Sequence, residues 1–252
     1  MSTSSTTNDL PASAGLDARG SDLPHPLAGV YGLTPEWDDT DRLLDGVRAA
    51  ARGGMRVLQL RRKLVTPEQR RAQALALRDE TLKLGVLFII NDDWRLALDV
   101  GADGVHLGRD DGDIAAARAA GPHLRIGATC YNELPRAQAA LAAGADHIAF
   151  GAVFGSPTKP AAVHAPLSLF AHARALPGAA HVPLVAIGGI TPDNAAQVTA
   201  AGADALAVIS ALFDSPDIEA TARRLHQAFG VRPAGLAGAK ATAASPAPSP
   251  IL

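Results

Sequence analysis

Val57-Leu58-Gln59-Leu60-Arg61-Arg62-Lys63 is followed, after Leu64 and Val65, by Thr66-Pro67-Glu68-Gln69. The first run is apolar at Val57, Leu58 and Leu60 and is bounded by Gly53-Gly54 and Thr66-Pro67, as a buried strand is. The second run is a helix start. Thr66 is placed to cap, Pro67 occupies the first helical position, and Gln69 closes a capping box. Between strand and helix lie three cations, Arg61, Arg62 and Lys63, at the point where the chain leaves a sheet. Positive charge at the rim of a core suits a polyanionic substrate. Taken alone, the triplet is more simply read as a solvated turn, and the rest of the chain decides.

Working outward, the same unit recurs. Short apolar runs stand at Gly29–Leu33, Val57–Leu60, Val86–Ile90, Gly104–Leu107, Leu124–Ala128, His147–Phe150, Leu184–Ile187 and Ala205–Ile209, with Ala-, Leu-, Arg- and Glu-rich helical segments between them. Thr191-Pro192 is expected to open the seventh helix as Thr66-Pro67 opens the second. Gly101-Ala102-Asp103, Gly144-Ala145-Asp146 and Gly202-Ala203-Asp204 each end a helix and lead into a strand, the glycine supplying a left-handed cap. Strands that are apolar throughout are covered on both faces, which describes a parallel sheet. Eight such units predict an α/β fold, a single (β/α)8 TIM barrel over residues 28–231, with an open doubly wound sheet as the alternative. Residues 1–27, rich in Ser, Thr, Pro, Asp and Gly, and residues 232–252, rich in Ala, Pro and Ser, are expected to be disordered tails.

Composition narrows the function. The 252-residue chain is 48% hydrophobic with a formal net charge of −2 and 4% aromatic residues. Such a chain lacks both the basic excess and the stacking surface of a nucleic-acid binder. No apolar run approaches the ~20 residues of a membrane helix, and Met1–Thr7 lacks the features of a secretory signal. The single cysteine, Cys130, forms no intrachain disulfide and fits a reducing, cytoplasmic setting.

In a parallel barrel, chemistry belongs at the carboxyl ends of the strands. After the third strand stand Asn91-Asp92-Asp93. Asp93 is placed to cap the next helix, which leaves Asp92 as the better ligand for a hard cation. After the fourth come Asp110, Asp111 and Asp113. Asp113 reads as a helix N-terminal residue, and one of Asp110 and Asp111 is available to share a cation with Asp92. Two aspartates from adjacent strands suit a Mg²⁺–diphosphate site. Thr129 ends the fifth strand. Cys130 beside it has no identifiable base and reads as a small filler. The loop after the sixth strand carries Ser156-Pro157-Thr158-Lys159, two hydroxyls and an ammonium suited to phosphate oxygens. Gly188-Gly189 and Ile209-Ser210 follow strands seven and eight, where such barrels frequently hold a phosphate. Two anion sites suggest two phosphorylated small-molecule substrates, one a diphosphate whose departure a metal and Lys159 assist.

Together these residues resemble the thiamine phosphate synthase family. The likeness covers about Val30 to Phe229. The family's Gln-Leu-Arg-x-Lys stands as Gln59-Leu60-Arg61-Arg62-Lys63, and its Asn-Asp pair as Asn91-Asp92. Its aspartate after a His-x-Gly turn matches Asp111, and its Thr-x-Thr-Lys loop stands as Ser156-Pro157-Thr158-Lys159. Gly188-Gly189 and Ile209-Ser210 complete the set. The resemblance implies a Mg²⁺-dependent transferase that joins an aminopyrimidine methyl diphosphate to a thiazole phosphate, releasing pyrophosphate, with departure preceding capture. It implies substrate contacts from Gln59 through Lys63 (including Leu60 and Arg62), Asn91, Thr129, Ser156 through Lys159 (including Pro157), Gly189, Ile209 and Ser210. Arg61, Lys63 and Lys159 would assist departure, and Asp92 and Asp111 would hold Mg²⁺. Thr129 replaces the family's serine and Ser156 its threonine, so both hydroxyls remain.

Two rivals stand beside this reading. A thiazole tautomerase on a similar barrel would need neither the cationic cluster nor the paired aspartates. A phosphometabolite-sensing barrel would keep Gly188-Gly189 and Ser210 while losing the metal ligands. The oligomeric state is open.

Overall fold

The computed structural model describes residue 23 and residues 25–155 and 163–230. Eight parallel strands close in sequence order: β1 (Gly29–Leu33), β2 (Met55–Leu60), β3 (Leu87–Asn91), β4 (Gly104–Leu107), β5 (Arg125–Tyr131), β6 (His147–Phe150), β7 (Leu184–Ile187) and β8 (Ala205–Val208), with β8 pairing back on β1. The helices are α1 (Thr40–Arg52), α2 (Pro67–Leu84), α3 (Trp94–Asp99), α4 (Ile114–Ala120), α5 (Leu134–Ala142), α6 (Leu169–Arg174), α7 (Ala195–Ala200), α8 (Ser210–Phe213) and α9 (Ile218–Gln227). The closed barrel is the (β/α)8 fold expected, and an open sheet is excluded.

Alternation along each strand divides the core in two. Tyr31, Leu33, Val57, Leu87, Ile89, Ala149, Val185, Ala205 and Ala207 form the inner cluster. Leu58, Leu60, Phe88, Ile90, Ile126, Ile148 and Leu206 belong to the larger cluster against the helices. The cap of α2 is as expected: Thr66 Oγ1 accepts from Gln69 N at 3.2 Å, and Gln69 Oε1 accepts from Thr66 N at 3.0 Å.

The Gly-Ala-Asp repeats have the predicted left-handed glycines, with φ of 66° at Gly101, 90° at Gly144 and 107° at Gly202. Their aspartates do more than follow a turn. Asp103, Asp146 and Asp204 accept the backbone N–H of Phe88, Ile126 and Leu184 at 2.8, 2.7 and 2.9 Å. Each also pairs with an arginine, Arg78, Arg118 and Arg174 respectively. Each even-numbered strand from β4 to β8 is therefore preceded by a carboxylate stitched to the strand before it. The arginine comes from the helix ahead of that earlier strand.

One helix start differs from expectation. Residues 191–194 form a turn and α7 begins at Ala195. Asn194 Oδ1 accepts from Thr191 N at 2.8 Å, and Asn194 Nδ2 donates to Gly189 O at 2.9 Å. That side chain fastens the loop after β7 instead of letting Pro192 start the helix. No described helix is long and apolar enough to cross a membrane. Of the expected tails, residues 1–22, 24 and 231–252 lie outside the described residues, whereas Leu27 is buried in the inner cluster.

Candidate active site

Of the expected site residues that are described, the charged ones stand at the carboxyl rim, Gln59 and Thr129 lie just below it inside the barrel, and Leu60 faces the helices instead. Lys63, two residues beyond Arg61 in the loop after β2, reaches Asp92 at the end of β3, with Nζ–Oδ2 at 2.9 Å. Asp92 sits in the left-handed region at φ 66°, and its N–H donates to His106 O at 2.8 Å. Asp111, in the loop after β4, turns back so that Oδ2 accepts from Gly108 N at 3.0 Å. Its carboxyl is raised above the usual range by burial first, then by the hydrogen-bonding reach and negative charge of Asp92; Gly108 N–H and Lys63 oppose the rise. Two carboxylates and one ammonium from three strand ends thus share one patch. Asp110 is exposed, whereas Asp111 is partly buried and lies beside Asp92.

Asp93 and Asp113 act as caps, accepting from Leu96 N at 3.0 Å and Ala115 N at 2.8 Å. Asp93 also pairs with Arg70 at 2.9 Å. Cys130 is buried, its thiol pushed up to about 12 chiefly by desolvation, as suits a filler.

The cation triplet divides its labour. Arg62 is 3% exposed and is held by Asp38 at 2.6 Å and Glu36 at 3.4 Å. Arg61 lies 3.7 Å from the same Glu36, whose Oε1 also accepts from Lys63 N at 3.0 Å. Glu36, in the loop after β1, therefore shapes the whole turn. Sequence reading passed over it because it lies 25 residues before Arg61 and no local pattern joins them. Leu60 is buried in the outer cluster, facing the helices.

Inside the barrel below the rim runs a polar layer within apolar strands. Gln59 Nε2 donates to the hydroxyl of Tyr31 at 2.9 Å, and burial raises the Tyr31 phenol. His106 Nε2 lies 2.9 Å from Thr129 Oγ1, and His106 Nδ1 lies 3.1 Å from His147 Nε2. Both imidazoles are buried, and desolvation pushes His106 down to about 4 and His147 well below its ordinary value, so both are neutral at pH 7. Gly127 lies between them in the register of β4, β5 and β6. A Cβ there would stand 2.0 Å from His147 Nε2 and 2.4 Å from His106 Nδ1. The only signal for the histidine pair in the sequence is one polar residue in each of two apolar runs, His106 in Gly104–Leu107 and His147 in His147–Phe150.

On the opposite side, Gly188 and Gly189 have φ of 106° and 63°. A Cβ would meet Ala152 Cα at 2.6 Å from the first and Gly155 O at 2.6 Å from the second. The loop after β6 lies along this turn, with Val153 N donating to Ile187 O at 3.0 Å and Phe154 N to Gly188 O at 3.1 Å. Ile209 precedes α8, and Ser210, exposed, begins it. Ser156, Pro157, Thr158 and Lys159 lie outside the described residues. Asn91 ends β3 beside Asp92.

Among the described residues no cluster of three or more His, Cys, Asp or Glu side chains forms a metal site. The candidate donor set is the Asp92–Asp111 pair, which fits a hard cation that draws its remaining oxygens from substrate and water.

A closed parallel barrel with this rim is a (β/α)8 enzyme. The family model described as thiamine monophosphate synthase matches residues 30–212. The thiamine-phosphate synthase of Bordetella pertussis is 62% identical over 210 residues, covering 82% of this chain and 97% of that protein. That of Methylobacillus flagellatus is 54% identical over 205 residues, covering 81% and 96%. Among solved structures, the thiamine phosphate pyrophosphorylase of Pyrococcus furiosus aligns with a TM-score of 0.70 at 32% identity, covering 81% and 96%. The chain belongs to the thiamine monophosphate synthase family and is a transferase of thiamine biosynthesis.

Proposed function

We propose that this chain makes thiamine monophosphate by a dissociative route from an aminopyrimidine methyl diphosphate and a thiazole phosphate. The observation that carries the reading is the meeting of Lys63, Asp92 and Asp111 from three separate strand ends. A lone lysine–aspartate pair would be ordinary surface; a second carboxylate held against the first is a charge excess that a bound cation relieves. Asp92 and Asp111 would hold Mg²⁺, which when bound neutralises diphosphate oxygens and improves the leaving group.

The chain's own residues do the rest. Arg61 and Lys63 meet the departing pyrophosphate, joined by Lys159 from the loop after β6. Arg62, closed in by Glu36 and Asp38, supports the turn from behind while its backbone and that of Leu60 line the approach. Gln59, Asn91 and Thr129 orient the pyrimidine. Ser156, Pro157, Thr158, Gly189, Ile209 and Ser210 hold the thiazole phosphate, where a glycine backbone approaches an anion closely. No nucleophile is required: placement in a site shielded from water supplies the catalysis. A tautomerase would have no use for the acidic pair, nor would a sensing barrel. The working unit is residues 28–231, the flanks are dispensable, and a lone buried thiol suits the cytoplasm.

The test is a coupling assay with purified protein and both phosphates. Thiamine monophosphate and pyrophosphate should appear in equal amounts; consumption of neither substrate would overturn the reading.

A further inference from the structure

The buried histidine pair has one nitrogen unaccounted for. Among the described residues, His147 Nδ1 is buried with no hydrogen-bond partner. The other three ring nitrogens are engaged in a line, His147 Nε2 to His106 Nδ1 and His106 Nε2 to Thr129 Oγ1. Two neutral rings joined this way have only two consistent proton arrangements. In one, both carry the proton on Nε2: His147 donates to His106, which donates to Thr129. In the other, both carry it on Nδ1, the line runs in reverse, and the Thr129 hydrogen points back at His106.

The two arrangements differ at the unpartnered atom. The reversed one leaves a buried N–H without an acceptor, the rarer and costlier kind of orphan; the first leaves only a lone pair. Nε2–H is also the commoner tautomer of a free neutral histidine. The consequence falls at the rim. A threonine hydroxyl that accepts from His106 has its own hydrogen free for the pocket; one that donates to His106 offers the pocket only lone pairs.

We propose that His147 and His106 form a tautomer relay fixing Thr129 as a hydrogen-bond donor toward the substrate, so the site selects a ligand with a ring-nitrogen acceptor there. The ligand assignment rests on the proposed function, since an aminopyrimidine has such nitrogens; the tautomers do not. His106 and His147 are positioning residues, acting through Thr129. Gly127 is what admits them, because any side chain at that position fills the gap across which the rings meet.

The test has two independent arms. In the first, ¹⁵N NMR of uniformly labelled full-length protein reads the tautomers, with the His147 signals identified by their loss in His147→Gln. Both rings protonated at Nε2 supports the relay; His147 protonated at Nδ1, or at both nitrogens, overturns it. In the second, His147→Phe removes the donor at similar volume, while His147→Gln restores an amide N–H near the Nε2 position. His147→Phe should lower kcat/KM for the aminopyrimidine diphosphate ~10-fold, the scale of one hydrogen bond, and leave KM for the thiazole phosphate within about twofold; His147→Gln should recover most of the loss. Equal impairment by both variants, or an equal effect on both substrates, overturns the relay. A wild-type protein that forms no product refutes the proposed function instead, and leaves the NMR arm to decide the tautomers.

Discussion

Lys63 and Asp92 meet at 2.9 Å although they lie at the ends of two different strands, and Asp111 joins them from a third. Before substrate arrives the ammonium partly offsets one carboxylate. In the proposed reaction it would exchange that partner for a diphosphate oxygen once a cation is bound by Asp92 and Asp111. Removing either member should therefore damage turnover more than stability. Lys63→Ala and Asp92→Ala are each expected to lower kcat/KM at least ~100-fold while thermal unfolding shifts little, since half-exposed ion pairs contribute weakly to folding. Near-wild-type rates for both would remove the diphosphate from this strand end.

Asp111 should trade stability for function. Its folded carboxyl is raised by burial and by Asp92, so it holds its proton to higher pH than in the unfolded chain. Ionisation therefore weakens the metal-free fold as pH rises through the folded value, whereas below the unfolded value no difference remains. Asp111→Asn keeps an oxygen for Gly108 N–H and removes the repulsion. At about pH 8 its Tm without metal should exceed that of wild type, and near about pH 3 the two should converge. A lower Tm at the higher pH would contradict the charge assignment.

Gly127→Ala places a methyl group where two imidazoles already meet, 2.0 Å from one and 2.4 Å from the other. Overpacking of this kind is expected to cost about 1–3 kcal/mol in denaturant unfolding. An unchanged midpoint would show that the ring pair is not held there.

Outside the site, the stitched aspartates carry a separate prediction. Asp103→Ala leaves Phe88 N–H and Arg78 without their shared carboxylate, 8% exposed, at the foot of β4. A loss of about 1–3 kcal/mol is expected by denaturant unfolding, with kcat unaffected because the residue lies at the opposite end of the barrel from the rim. A neutral substitution would mean that the backbone ladder alone carries this junction.

These features were unequally legible in the sequence. Strands covered on both faces read as unbroken apolar runs, and left-handed glycines closing helices mark their spacing, so the barrel and its order were visible from residues alone. The cation triplet and Asp92 stood out because charge at the end of an apolar run is conspicuous, whereas Asp111 was separated from its neighbour Asp110 only by the resemblance to the family. Glu36 did not, since its partners are joined to it only by closure of the sheet. His106 and His147 were hidden because an inward polar residue in a buried strand looks like an interruption until register brings two together. Thr191-Pro192 misled because Asn194, bonding to Thr191 and Gly189, outcompetes the early helix start.

The most direct test of the acidic pair is metal dependence of the coupling reaction itself. With both phosphates and Mg²⁺ present, pyrophosphate release should match thiamine monophosphate formation, cease when EDTA is added, and return on adding Mg²⁺ in excess. Turnover that continues undiminished in EDTA would contradict the account.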